Sequence, residues 1–134
     1  MKKISPSQSR FAVITTILSI TFFFLLHHYI KTNQYNFILP IAVGYSILMF
    51  FNGLINGYYD HGKLTTIDKG FIYHLLTFLI VNLTSLGFIL LQPDPVFSYT
   101  QLWLQLFPWG LGLYIHYLCV RNSIQGYSNE ELFK

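Results

Sequence analysis

The chain has 134 residues, of which 53% are hydrophobic and 10% charged, against about 25% charged in a soluble domain, and it carries a net charge of +3. The single cysteine, Cys119, rules out an internal disulfide. The basic excess is spread over tails and connections rather than gathered in a patch, which argues against a nucleic-acid partner.

In chain order the elements are four apolar segments: TM1 at 11–30, TM2 at 37–58, TM3 at 70–91 and TM4 at 102–120. None of the eight Lys and Arg or five Asp and Glu residues falls inside them. At about 1.5 Å of rise per residue each reaches across a hydrocarbon core of roughly 30 Å. TM1 starts behind Lys2, Lys3 and Arg10 like a signal peptide, but it ends in His27-His28-Tyr29 rather than small-x-small, so it is expected to stay as an anchor. Pro40 falls in the first turn of TM2, where a missing N–H costs little. Pro93-Asp94-Pro95 stops TM3, and Pro108 is expected to kink TM4. Tyr and Trp gather near segment ends, as at a membrane interface.

Lys2, Lys3, Arg10, Lys63, Lys69, Arg121 and Lys134 fall on one side of this arrangement, and Lys31 alone on the other. Over short loops such asymmetry fixes orientation and predicts cytoplasmic N and C termini. The expected fold is all-α: a polytopic membrane protein of the bacterial inner membrane, one domain over 1–134. Its four transmembrane helices form an antiparallel bundle in which consecutive helices are neighbours.

The chemistry-bearing residues concentrate in the second half. At 100° per residue His74, Phe78, Val81, Asn82 and Ser85 share one side of TM3. Gln105, Trp109, Gly112 and His116 share a stripe on TM4. Lipid offers polar groups no partner, so both stripes should face inward. Asn82 and Gln105 can then bond across, and Gly112 lets the helices approach. His74 and His116 should lie at one depth.

Phe71-Ile72-Tyr73-His74, Val81-Asn82, Trp103 and the run from Pro108 through Trp109, Gly110, Gly112 and Leu113 to His116 resemble the two-transmembrane (2TM) domain family. The likeness covers residues 66–120, with Pro108 where that family usually has Gly. It implies a helical hairpin of the kind found in bacterial membrane proteins, sometimes beside histidine-kinase or LytTR-type modules, and it implies no settled activity. TM1 and TM2 are not explained by it.

Three readings of the histidines stay open. They are axial ligands of haem b, part of a metal site completed by Asp60 or His61, or structural groups satisfying nearby carbonyls. The last is favoured, with no cofactor and no metal expected. His27-His28 reads as an interfacial pair with pH sensing as an alternative, and Phe22-Phe23-Phe24 as lipid-facing packing. Gly53-x-x-x-Gly57, with Asn52 and Asn56, reads as a close-packing face for the bundle or a partner.

No intramembrane carboxylate or Lys supports proton-coupled transport, and no nucleophile–base arrangement or phosphate loop supports hydrolase or kinase chemistry. The function expected is non-enzymatic: an accessory, sensory or scaffolding membrane protein acting through helix–helix contacts with a membrane-protein partner or with itself. The alternative is a b-haem or quinone-linked redox subunit using His74 and His116.

Overall fold

The structure, a computed structural model, describes residues 5–59, 66–91 and 99–126, with no strand among them. Four helices follow in order: α1 (Pro6–Lys31), α2 (Ile38–Tyr59), α3 (Thr66–Leu91) and α4 (Tyr99–Gly126), with a short 3₁₀ turn at Tyr35–Phe37 before α2. Asp60, His61 and the Pro93-Asp94-Pro95 stop lie outside the described residues.

Helix ends are set by capping chemistry as well as by apolar runs. Ser5 caps α1: its hydroxyl accepts from the Gln8 N–H at 3.1 Å, while the Gln8 side chain accepts from the Ser5 N–H at 3.0 Å. With Pro6 in the first turn, this reciprocal box starts the helix five residues before the apolar segment. At the other end Asn33 takes a left-handed conformation, φ 57°. The Gln34 N–H bonds the Tyr29 carbonyl at 2.9 Å and the Asn33 N–H bonds that of Ile30 at 3.0 Å. This paired closure reverses the chain tightly into α2, and Tyr29 stacks on Phe37 across the turn at 5.0 Å.

One face of α1 is buried, at Gln8, Phe11, Thr15, Ser19 and Phe23, and it makes α1 the hub. Thr15 and Ser19 are 0% exposed, small enough to bring α2 close. The seam is polar: Ser19 and Tyr45 share a hydrogen bond of 3.0 Å, and Asn52 Nδ2 donates to Thr15 Oγ1 at 3.0 Å. Asn56 Nδ2 in turn donates to the Asn52 side-chain oxygen at 2.8 Å. In lipid such bonds average about 0.6 kcal/mol each, so a linked series fixes register more than it adds stability.

On its other flank α1 meets α3, and the two run parallel: Phe11 packs edge-on to Tyr73 at 4.8 Å and Phe23 lies on Phe88 at 5.7 Å. α4 packs on α3 as its one backbone neighbour among the described residues. The helices are therefore ordered α2–α1–α3–α4, which corrects the expectation that consecutive helices are neighbours throughout an antiparallel bundle. α1–α2 and α3–α4 are antiparallel hairpins. α2 and α3 instead touch near one end, where the Tyr73 hydroxyl donates to the Asn56 carbonyl at 3.2 Å. Two bulky residues of α1, Phe11 and Phe23, claim the α3 surface that α2 would otherwise take.

The Phe22-Phe23-Phe24 expectation is also corrected. Phe23 is buried, Phe22 stacks on Tyr45 at 4.5 Å, and only Phe24 is exposed. Three helices, Pro6–Lys31, Tyr35–Tyr59 and Gly70–Leu91, are long and apolar enough to cross a membrane. That is the mark of a membrane protein. α4 is long enough but less apolar, and it continues through Pro108.

Candidate functional site

The α3–α4 hairpin is held by aromatic packing. Phe78 meets Trp109 edge to face at 5.7 Å, and the Phe78 ring lies 3.8 Å from where a Cβ on Gly110 would stand. Phe71 contacts His116 at 5.9 Å and Tyr117 at 5.8 Å. The glycine that faces α3 is thus Gly110. Gly112, expected to serve there, is exposed with nothing within 4 Å of its Cβ position, because two residues along a helix turn the side-chain direction by about 200°.

Within this frame the imidazoles of His74 and His116 are brought together, with ring centroids 5.2 Å apart and planes at 61°. His74 is exposed and His116 half-buried. Two axial ligands of one haem iron stand on opposite sides of the macrocycle. With metal–nitrogen bonds of about 2.1 Å, their ring centroids are then about 6.4 Å apart in line. The observed rings are closer and sit on adjoining helices packed through Gly110, which leaves no slot for a porphyrin, so the pair does not fit haem.

The expected cross-helix bond between Asn82 and Gln105 does not form. Asn82 Nδ2 donates to the Phe78 carbonyl of its own helix at 2.7 Å, and its side-chain oxygen is buried without a partner. Gln105, with buried Ser85, lines a separate cavity of about 320 Å³ between α1, α3 and α4 that is otherwise largely apolar.

His74 has a second face. A cleft of about 550 Å³ opens between α2 and α3, lined by Gly53, Gly57, Gly70, Tyr73, His74 and Thr77 among others and floored by Phe11. Gly53, Gly57 and Gly70 have nothing within 4 Å of their Cβ positions. The GxxxG pair therefore packs against no helix among the described residues. The residues beside it do: Asn52 and Asn56, 6% and 1% exposed, face α1. A step of one residue turns the side chain by about 100°, which separates the asparagines in the seam from the glycines in the cleft.

Sequence reasoning missed Thr15 and Ser19, and it gave Arg10 and Tyr73 no part in joining α2 to its neighbours. Arg10 Nε donates to Asn56 Oδ1 at 2.7 Å, with its guanidinium 5.0 Å from the centre of the Tyr59 ring. The recurrence of small polar residues at 15 and 19, on the face of Phe11 and Phe23, was the available signal. Among the described residues no three His, Cys, Asp or Glu side chains form a metal-binding group.

Comparison with protein families, with curated proteins and with solved structures finds no match in any of the three.

Proposed function

We propose that the protein is a four-helix integral membrane protein of the bacterial inner membrane. Both termini are cytoplasmic, and it acts without catalysis as an accessory, sensory or scaffolding subunit through helix–helix contacts. The observation that carries this reading is the α2–α3 cleft. Three glycines present bare backbone in a lateral opening that the described residues leave unfilled, and small residues are what allow membrane helices to approach closely. The 2TM-like hairpin is read as the remaining support for that cleft, since Gly70, Tyr73, His74 and Thr77 form its α3 wall.

Membrane crossing by α4 is supported by its outer face. Trp103, Leu104, Phe107, Leu111, Tyr114 and Ile115 are all exposed and all apolar or aromatic. No charged residue occurs from Tyr99 to Cys119. The orientation rests on the unequal division of Lys and Arg.

The test is a photo-crosslinking side chain placed at Gly53, with Leu39, a 72% exposed residue on the same helix, as control. In native membranes a protein adduct at position 53 and lipid adducts at position 39 are expected. Lipid adducts alone at both positions would overturn the reading.

A further inference from the structure

We infer that His74 and His116 form a chelating site for one transition-metal ion of the zinc or copper class, tying α3 to α4. An imidazole bound at about 2.1 Å puts its ring centroid roughly 3.2 Å from the metal, so two rings at a tetrahedral angle have centroids about 5.2 Å apart. The observed separation is 5.2 Å. The spacing that is too short for two ligands in line across a haem is therefore the spacing of two cis ligands on a single small ion. Each imidazole carries two ring nitrogens, and a neutral ring can bind a metal through either.

The scaffold holds that spacing. The two ligands come from different helices, and the packing of Phe78 on Trp109 and Gly110 fixes how near those helices lie. Phe71 packs against one side of His116. His74 lines the α2–α3 cleft, so that cleft supplies a route to the metal and room for further donors.

Among the described residues no third His, Cys, Asp or Glu joins the pair, so these two imidazoles are the ligands the described residues offer, with positions on the ion left for further donors. Neutral imidazole favours copper and zinc over magnesium or calcium, which take oxygen ligands. The inference does not depend on what occupies the cleft in the proposed scaffold role.

The full chain, prepared in nanodiscs without a polyhistidine tag, is titrated with zinc alone. One equivalent should bind and raise the Tm. His74→Ala and His116→Ala should each weaken binding by more than about tenfold, the lower end of what losing even an outer-shell partner costs. His28→Ala, at the far end of α1, should leave binding unchanged. Copper(II) alone, added to the unaltered protein, should give an electron paramagnetic resonance spectrum with coupling to two equivalent-type imidazole nitrogens, a readout independent of how any variant folds. Absence of stoichiometric zinc binding, retention of it in both alanine variants, or a copper spectrum without two imidazole nitrogens would overturn the assignment.

Discussion

Arg10 Nε donates to the side-chain oxygen of Asn56 across 2.7 Å, and the Arg10 guanidinium also lies over Tyr59 at 5.0 Å. A cation at the edge of an apolar helix is thereby joined to the buried seam between α1 and α2. Asn56 works in three directions: it donates to Asn52, accepts from Arg10, and offers its backbone carbonyl to Tyr73 on α3.

Asn56→Ala removes the two side-chain links and keeps the third. Membrane hydrogen bonds average about 0.6 kcal/mol and reach about 1.7, so a loss of about 1–3 kcal/mol is expected in unfolding from detergent micelles. Tyr73→Phe, which removes the hydroxyl bond to the Asn56 carbonyl of α2, should cost under about 1 kcal/mol by the same measure.

Gly110→Leu and Gly112→Leu separate the two glycines of the hairpin. The first drives a branched side chain into Phe78, and overpacking of this kind costs about 1–3 kcal/mol. The second enters open space and should be neutral, or stabilising by up to about 1 kcal/mol because Leu is the better helix former. Thermal melts of the two variants check the order.

Asn82→Leu tests the orphaned oxygen. A buried acceptor without a partner costs about 1–3 kcal/mol, and replacement by an apolar group of similar shape removes that cost. The variant should be as stable as the natural chain or more so. A marked loss of stability would mean that Asn82 has a bonding partner in the membrane.

An alkaline phosphatase domain fused after Tyr99 should be active outside the cytoplasm, and one fused after Lys134 inactive. The reverse pattern would invert the proposed orientation and put the His74–His116 pair on the outer side.

The existence of the helices was legible because charge avoids apolar spans, and the inward stripe of α3 was legible at Val81, Asn82 and Ser85, all three buried. The start of α1 was misjudged by hydropathy, which does not register Ser5 and Gln8 as a cap. Lateral order was not readable: four segments of similar composition carry no label saying which pair meets. That order rests on details such as Thr15 and Ser19 being small while Phe11 and Phe23 are large. Gly112 was preferred to Gly110 because at 100° per residue it falls within the stripe of Gln105, Trp109 and His116, and sequence alone does not show on which flank of that stripe α3 lies. The 3.8 Å approach of Phe78 distinguishes them.

The parallel pairing of α1 with α3 has a consequence for how the molecule is made. During synthesis the hydroxyls of Thr15 and Ser19 enter the bilayer before their partners Asn52 and Tyr45 exist, so the first helix must wait for the second before its polar groups are matched. Once that hairpin closes, the later one docks sideways onto it along Phe11–Tyr73 and Phe23–Phe88. The protein is in this sense two prefabricated halves joined along one wall. If residues 1–62 and 63–134 are produced as separate polypeptides in the same membrane, they should find each other and rebuild the whole.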